Sequence, residues 1–221
     1  SAYYESKDTK IICSIYGPRP SQRQMDFSEQ GTVQCDVKFA PFAHPDGRLA
    51  DGQSVEEKEL SLTVLQAIDS VIMKDKFPKS VLDVYVVVIA ACGSVTAACI
   101  NCASLALVDA GLELYDIVSA ASVVGMSRSE SVDGPTVRQL RLDPTALEEE
   151  ASTSSVTLAQ MPSLGEVTLL HQTGKMLPRE LMSNMRMALD ATVLIHKMMV
   201  NASTKSVGAP AATTATSTTA S

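Results

Sequence analysis

In the first third of the chain, apolar residues fall in short runs and alternations that predict β-strands. Ile11 to Tyr16 is an apolar run closed by Gly17-Pro18, and Thr32 to Phe39 alternates apolar with polar residues. A period of two is that of a strand with one buried face. Pro, Gly and Asp residues between positions 43 and 53 predict a loop after the second of these strands.

Two helices and a buried strand are predicted after this loop. Ser54 and Glu57 fit a capping box, and apolar residues at helical spacing continue one face as far as Lys74. The segment from Leu82 to Ala91 is nearly all apolar, which predicts burial on both faces or on one face plus an interface. The Ala- and Cys-rich stretch from Val95 to Ala110 predicts a helix in the centre of the domain.

The second half of the chain again places strands before a helix. The predicted strands, of which the last two form a hairpin, are Asp116 to Met126, Val137 to Leu142, Val156 to Met161, and Glu166 to His171. An amphipathic helix opened by Pro178 is predicted from Leu177 to Val200. Strands followed by a helix, twice over, predict an α+β fold rather than a doubly wound nucleotide-binding fold.

The last twenty residues differ in composition from the rest. Residues 202–221 contain six Ala and ten Ser or Thr, with Lys205 as the only charge. Such a segment buries too little apolar surface to offset the entropy of ordering it. We therefore assign residues 1–201 to one domain and predict that residues 202–221 form a disordered tail.

The charge balance excludes a protein-wide attraction to nucleic acid. The 221 residues include 18 basic and 25 acidic side chains, so the net charge is -7, and Trp is absent. A negative protein repels the phosphate backbone, and few aromatic side chains are available for stacking on bases. Contact with RNA is therefore expected to be local or shared with a partner.

The cysteines and the longest apolar stretch bear on the cellular compartment. Five cysteines, an odd number, and a start without an apolar leader predict reduced thiols inside the cell. Val81 to Ile100 is about as long as a membrane span, but Asp83 and Gly93-Ser94 interrupt it. We therefore expect a buried strand and a buried helix, and no membrane partner.

Cys99 and Cys102 form the most conspicuous chemical motif. A redox dithiol needs the exposed start of a helix, whereas these residues lie in the middle of an Ala-rich helix, which predicts that they pack in the core. The sequence has no second pair with this spacing, and His44, His171 and His196 lie far apart. No metal site and no cofactor are therefore expected.

Acidic residues and a glycine turn supply two further candidates. Glu148, Glu149 and Glu150 are possible metal ligands or general acids, but a charge run after Pro144-Thr145 is more typical of a solvated helix start. The Gly93-Ser94 turn directs free N–H groups of the next helix toward any anion that lies there. Every helix start has such groups, so this signal alone is weak.

Several motifs, spread from Ser1 to about Val200, resemble RNase PH-like proteins. They are Ser1-Ala2-Tyr3, Tyr16-Gly17-Pro18-Arg19, Ala40-Pro41-Phe42, Glu57-Lys58-Glu59-Leu60, Phe77-Pro78-Lys79, Ala103 to Leu107, Asp109-Ala110-Gly111, Tyr115-Asp116 and Met161-Pro162-Ser163-Leu164. The string Leu142-Asp143-Pro144-Thr145 with the three glutamates narrows the resemblance to Mtr-type ring subunits of the eukaryotic RNA exosome. The family's opening segment, with its first strand, is expected to be missing here.

This resemblance implies a fold and an assembly. The fold is the RNase PH fold, in which mixed sheets pack with central helices. The assembly is a ring of six such subunits crowned by S1/KH cap proteins. The implied locations are the nucleus, the nucleolus and the cytoplasm.

The resemblance also marks the positions that carry out chemistry in active members, which phosphorolyse RNA from its 3′ end. Active members place a phosphate-binding arginine after the Gly-Ser turn, where this chain has Val95. They place an aspartate where this chain has Ser155, and two RNA-binding arginines where it has Val55 and Glu56. Since the phosphate ligand, the acid and the RNA clamp are lost together, we expect no phosphorolytic activity.

Four residues remain candidates for contact with phosphate or RNA. Gly93 and Ser94 are predicted to keep a weak affinity for sulfate or phosphate through backbone N–H groups. Arg19, which follows the Gly-Pro turn shared with the family, and Arg23 are candidates for lining an RNA path. Scattered surface charges are the alternative interpretation of both arginines.

Three functions follow as hypotheses. The first is a non-catalytic subunit that supports 3′ to 5′ RNA processing by joining the ring and the cap, with indirect or weak RNA contact. The second is an active phosphate-dependent exoribonuclease that uses displaced residues, with Glu148 or Glu150 as the acid and Arg128 as the phosphate ligand. The third is a regulator with the same fold that joins no ring.

Overall fold

A computed structural model describes residues 1–20, 30–43, 54–128 and 137–208 of the chain. The strands are β1 (Ala2–Ser6), β2 (Thr9–Pro20), β3 (Thr32–Phe39), β4 (Ser80–Ala90), β5 (Ser119–Arg128), β6 (Val137–Leu142), β7 (Ser154–Met161) and β8 (Glu166–Gly174). The α-helices are α1 (Val55–Asp69), α2 (Val95–Asp109), α3 (Ala146–Glu150) and α4 (Pro178–Gly208). A short 3₁₀ turn covers Lys74–Lys76.

The strands form two four-stranded sheets. The first sheet has the order β1-β2-β4-β3, in which β3 and β4 run parallel and the other pairs antiparallel. The second sheet has the order β6-β5-β7-β8 and is antiparallel throughout. The predicted α+β fold is therefore confirmed.

The layers stack as sheet, helices, sheet, helix. The main core joins the inner face of the first sheet to α1, α2 and the near face of the second sheet, with Ile11, Ile68, Leu82 and Ile100 among its largest fully buried side chains. A smaller cluster of Val123, Leu158 and Ala188 packs α4 on the far face of the second sheet. Within the described ranges, no helix is both long enough and apolar enough to cross a membrane.

For several elements, the bounds predicted from local sequence patterns agree with the observed bounds to within one residue. The alternating segment 32–39 is β3, the segment 137–142 is β6, and the buried helix α2 ends one residue before its predicted end. The capping box of α1 is present, since the N–H of Ser54 donates to Glu57 (2.7 Å) and the N–H of Glu57 donates to Ser54 Oγ (3.1 Å). The predicted hairpin is formed by β7 and β8.

The predicted bounds were wrong where tertiary contacts decide them. Strand β2 continues past Gly17-Pro18 to Pro20, because its end pairs with β4 around a register shift. Helix α1 ends at Asp69 rather than Lys74. Val71 and Ile72 are buried as predicted, but they lie after the helix. They pack against the segment before β5, where the N–H of Tyr115 donates to the carbonyl of Val71 (3.0 Å).

Both ends of the second half also differ from the prediction. Strand β5 starts at Ser119 rather than Asp116, because the Asp116 carboxylate accepts hydrogen bonds from the N–H of Ile117 and the N–H of Ser163, both at 2.8 Å. Helix α4 extends to Gly208, so the boundary predicted at residue 201 lies inside it. Ser203 Oγ donates to the carbonyl of Met199 (2.9 Å), one turn earlier in the same helix. Residues 209–221 lie outside the described part of the chain.

Strand β4 buries the face that meets the main core, whereas its opposite face is buried only at Asp83. Leu82, Val84, Val86 and Val88 are buried, whereas Tyr85 and Val87 on the opposite face are 40% and 41% exposed. Of the two arrangements that its apolar sequence predicted, burial on both faces is therefore wrong for the isolated chain.

Candidate functional site

The Gly93-Ser94 turn connects β4 to the buried helix α2. Ser94 is the N-cap residue of α2, but it has a positive φ of 52° and its side chain makes no capping hydrogen bond. Gly93 has a φ of 105°, a value that L-residues rarely adopt. The turn therefore has two consecutive residues with positive φ immediately before α2 begins.

The chain's own backbone lies directly on this turn. A Cβ atom added to Gly93 would lie 2.3 Å from the carbonyl oxygen of Pro144 and 2.9 Å from the nitrogen of Ala146. The N–H of Ala146 donates to the carbonyl of Cys92 (2.9 Å), and Ser94 Oγ donates to the carbonyl of Pro144 (3.4 Å). The close approach of residues 144–146 is sufficient to account for glycine at position 93.

A carboxylate from the same segment meets the start of α2. The N–H of Ser94 donates to Glu149 Oε1 at 2.8 Å. Burial raises the pKa of Glu149 above its ordinary value, and the hydrogen bond from Ser94 partly opposes that shift. The N–H group that was predicted to face a free anion is therefore already bound to a carboxylate of this chain.

The three consecutive glutamates occupy different environments. Glu148 belongs to a capping box, in which its carboxylate accepts the N–H of Thr145 at 2.9 Å, and this bond lowers the pKa of Glu148. Glu149 points to α2 instead and is half-buried, while Glu150 is exposed. The predicted solvated helix start describes Glu148 and Glu150 but is wrong for Glu149.

Replacing Glu149 by alanine is expected to lower the free energy of unfolding by about 1 kcal/mol, because α2 loses a hydrogen-bond acceptor at its start. Glu149→Gln keeps an acceptor oxygen and removes the buried charge. The raised pKa means that the folded chain holds the Glu149 proton more tightly than the unfolded chain does. The contribution of protonated Glu149 to the free energy of unfolding is therefore largest below pH 4.5, the ordinary pKa, and it is lost as the pH rises through the raised pKa.

The comparison of the wild type with Glu149→Gln isolates this titration. In urea unfolding measured from pH 4 to pH 8, the wild type is expected to lose stability relative to Glu149→Gln as pH increases. A constant difference between the two proteins over this range would contradict the buried position of the Glu149 carboxylate.

Three of the four positions that the family resemblance assigns to catalysis or RNA binding carry uncharged side chains, and the fourth, Glu56, is acidic. Val95 is the first residue of α2, and its partly buried side chain packs against the main core. Ser155 is a partly buried residue of β7, where it pairs with Val124 of β5 and Thr173 of β8. Val55 begins α1 and is 72% exposed. None of these three side chains supplies a cation for phosphate or an acid for proton transfer.

Arg19 is held by an acidic residue on the neighbouring strand. Its Nη2 lies 2.5 Å from Asp83 Oδ2, and the Asp83 side chain is only 5% exposed. Arg19 stays a candidate for RNA contact only if it leaves this partner. Arg23, the other predicted candidate, lies outside the described residues.

The cysteines of the Cys99-x-x-Cys102 motif pack in the main core, as predicted. Both side chains are fully buried, and Cys13 and Cys35 lie in or against the same core. Burial raises the pKa of all four thiols, to about 12 for Cys35 and Cys102. At neutral pH these thiols therefore carry almost no thiolate, the form that reacts.

A thiol titration is expected to separate Cys92 from the other four cysteines. Cys92, beside the Gly93-Ser94 turn, is exposed. With an aromatic disulfide reagent at pH 8, one thiol per folded chain reacts quickly, and all five react after unfolding in guanidinium chloride. Rapid reaction of two or more thiols in the folded chain would contradict the packing of the cysteine core.

Metal-ligating residues are not brought together in the part of the chain that the structure describes. No group of three or more His, Cys, Asp or Glu side chains there has the geometry to hold a metal ion. His196 Nδ1 contacts the carbonyl of Ile117 (3.2 Å), and His171 lies near Thr173 on β8. His44 lies outside the described residues.

Two side chains of the β1–β2 region support the site, and the sequence analysis missed both. Thr9 Oγ1 donates to the carbonyl of Gly93 (2.9 Å) and accepts the N–H of Cys92 (3.1 Å), so it fixes the turn from the other side. Lys7 Nζ donates to the carbonyl of Asp143 (2.6 Å). The contact of Thr9 with Gly93 spans 84 positions of the sequence, and the contact of Lys7 with Asp143 spans 136. No local sequence pattern therefore predicts either contact.

Known proteins resemble this chain over most of its length. Residues 1–113 match the RNase PH family, which is described as "3′ exoribonuclease family, domain 1". The chain is 36% identical over 199 residues to "Exosome complex component RRP41-like" of Arabidopsis thaliana, covering 90% of this chain and 72% of that protein. It is 35% identical over 185 residues to "Exosome complex component mtr3" of Schizosaccharomyces pombe, covering 82% and 68%.

A human relative and a solved structure agree with these matches. "Exosome complex component MTR3" of Homo sapiens is 34% identical over 187 residues, covering 79% of this chain and 66% of that protein. The crystal structure of Rrp46 from rice (Oryza sativa) superposes with a TM-score of 0.76 at 22% identity, covering 90% of this chain and 86% of that one. At this identity the structural match establishes the fold.

Proposed function

Since the chain belongs to the RNase PH family of 3′ exoribonucleases, we propose that it is a structural subunit of an RNA exosome ring and does not itself cleave RNA. Its relatives from a plant, a fungus and a human are named as exosome complex components. The proposal is supported by those names and by Val95, which stands where the family resemblance places the phosphate-binding arginine of active members.

The observation that carries the proposal is the environment of the Gly93-Ser94 turn. Phosphorolysis needs orthophosphate held next to the scissile phosphodiester, with cations that offset their combined negative charge. Here Val95 turns toward the core, and the N–H of Ser94 donates to the Glu149 carboxylate. A carboxylate at this position repels phosphate rather than binding it.

A displaced active site has little support. Glu148, one candidate acid, is engaged in the capping box of α3, which lowers its pKa. A general acid works best with a pKa raised toward neutral pH. Glu150 is exposed. Arg128, the candidate phosphate ligand, ends β5, and its side chain lies outside the described part of the structure.

The proposed partners are other RNase PH-like subunits of the ring and the S1/KH cap subunits, with weak or indirect contact to RNA. The net charge of -7 supports a subunit that leaves the handling of RNA to its partners. The nuclear, nucleolar and cytoplasmic locations implied by the family resemblance stay a prediction.

Co-expression tests the proposal. The full chain is co-expressed with the other RNase PH-like subunits of the same organism, and the complex is analysed by size-exclusion chromatography and native mass spectrometry. We expect this chain to co-elute in a stoichiometric ring. A chain that remains alone with every combination of subunits would contradict the proposed function and support a regulator that joins no ring.

A further inference from the structure

The outer face of the first sheet carries an apolar patch. The outer patch consists of five side chains, Tyr3, Ile12, Tyr16, Tyr85 and Val87. They are 53%, 40%, 59%, 40% and 41% exposed. The helices that contact the first sheet pack on its opposite face, where Ile11, Leu82 and Val86 are buried. One end of the layered domain therefore presents large apolar side chains to solvent.

Strand pairing makes the outer patch continuous. Tyr3 of β1 pairs with Ile12 of β2, and Ile12 pairs with Val87 of β4. Directly paired residues lie on the same face, so these three side chains form a row across three strands. The rings of Tyr16 and Tyr85 extend the row, with centroids 5.6 Å apart in an edge-to-face arrangement.

The composition of the outer patch is that of a protein interface. The chain has five Tyr and no Trp, and three of those tyrosines stand in this patch. Tyrosine is enriched in protein–protein interfaces and among the residues that dominate binding energy. When one face of a sheet is exposed to water, the residues on that face are normally polar.

Charges surround the outer patch in balanced pairs. Lys10 pairs with Glu5 (3.4 Å), Lys38 with Asp36 (3.3 Å), and Arg19 with Asp83 (2.5 Å). RNA binding requires a surplus of cations, and these three pairs offer none. An apolar centre with a charged rim is the usual anatomy of a contact between folded proteins.

The size of the outer patch fits a folded partner rather than a peptide. From the exposed fractions, the five side chains offer roughly 400 Å² of surface. A standard interface buries about 800 Å² on each partner, a little over half of it apolar. The outer patch therefore accounts for the apolar share of one such interface, and its breadth across three strands exceeds what a single extended segment covers.

We propose that the outer patch is the surface through which this chain binds a neighbouring RNase PH-like subunit. This inference rests on the proposed function, which supplies a ring of related chains. It goes further by assigning the contact to the outer face of the first sheet and placing Ile12, Tyr85 and Val87 at its centre.

The test compares two surface variants. The double variant Ile12→Lys/Val87→Lys places two charges in the outer patch, and Leu194→Lys places one on the exposed side of α4, where Leu194 is 60% exposed. Each RNase PH-like subunit of the same organism is titrated against the wild type and both variants, after thermal unfolding confirms that the variants fold. We expect the double variant to bind its neighbour at least about 30-fold more weakly, and the control to change less than about threefold.

A cross-linking experiment identifies the occupant without a destabilising charge. The photoreactive residue p-benzoylphenylalanine replaces Tyr85 in one protein and Leu194 in another, and each is irradiated within the co-expressed complex. Cross-linking of position 85, and not 194, to an RNase PH-like subunit supports the inference. Cross-linking of position 85 to an S1/KH protein, to RNA or to a second copy of this chain would overturn it.

The two proposals fail in different ways. If the wild type joins the ring and the double variant joins it equally well, the assigned surface is wrong and the proposed function stands. If the wild type binds no RNase PH-like subunit at all, the proposed function fails, and the outer patch cannot have the assigned partner.

Discussion

Replacing Gly93 by alanine is expected to lower the free energy of unfolding by about 3 kcal/mol or more, a large part of the roughly 5 to 15 kcal/mol that typically stabilises a folded domain. The φ of 105° lies in a region that costs a residue with a Cβ about 1 to 3 kcal/mol. The added Cβ would also lie 2.3 Å from the carbonyl oxygen of Pro144. This oxygen and the other two nearest atoms, from Thr145 and Ala146, belong to the backbone and cannot move aside as the end of a flexible side chain does.

Gly111 provides a matched control for this substitution. It also has a positive φ, 71°, but a Cβ there would meet no atom within 4 Å. Gly111→Ala is therefore expected to cost only the backbone preference, about 1 kcal/mol. Guanidinium chloride unfolding of both variants measures the difference. Equal and small losses of unfolding free energy in the two variants would contradict this prediction. They would mean that residues 144–146 can shift to make room for a Cβ atom at position 93.

Removing the guanidinium of Arg19 is expected to have the second largest effect. Arg19→Ala leaves the carboxylate of Asp83 buried without its cation, and breaking a buried ion pair in this way typically costs 3 to 5 kcal/mol. Because Arg19 itself is 57% exposed, solvent screens part of the interaction, and we expect a loss of about 2 to 3 kcal/mol.

Two further variants establish whether the ion pair is the cause. Lys38→Ala removes a cation whose partner, Asp36, is 31% exposed, and it is expected to cost less than about 1 kcal/mol. Adding Asp83→Asn to Arg19→Ala removes the unpaired charge and should recover part of the lost stability. If Arg19→Ala unfolds at the wild-type urea concentration, Arg19 is not committed to Asp83 and stays available for RNA.

Much of the fold was predictable because its signals are local. The alternation from Thr32 to Phe39 and the Ala-rich run after Ser94 each determine one element from neighbouring residues, and the observed bounds of β3 and α2 agree. Strand β1 carries no comparable signal, since the five residues Ala2–Ser6 depend on pairing with β2. Helix α1 ends earlier than predicted because Ile72 forms an isolated antiparallel β-bridge with Leu114, and the backbone there is no longer helical.

The site was predictable in its turn but not in its surroundings. Gly93-Ser94 is recognisable as a helix start with free N–H groups, yet Thr9, Pro144 and Glu149 contact it from positions at least 50 residues away. Three identical glutamates cannot be distinguished by sequence, although only Glu149 reaches Ser94. The same holds for Arg19, whose partner Asp83 lies on another strand.

We propose that this member of the RNase PH family has kept the fold and lost the phosphorolytic chemistry. The most direct test is release of nucleoside diphosphates from labelled RNA by the purified chain, with magnesium ions and orthophosphate present. An RNase PH-like protein that carries the phosphate-binding arginine and the aspartate serves as the positive control. We predict no release above the level without protein. Phosphate-dependent release of nucleoside diphosphates by the wild-type chain would contradict the claim.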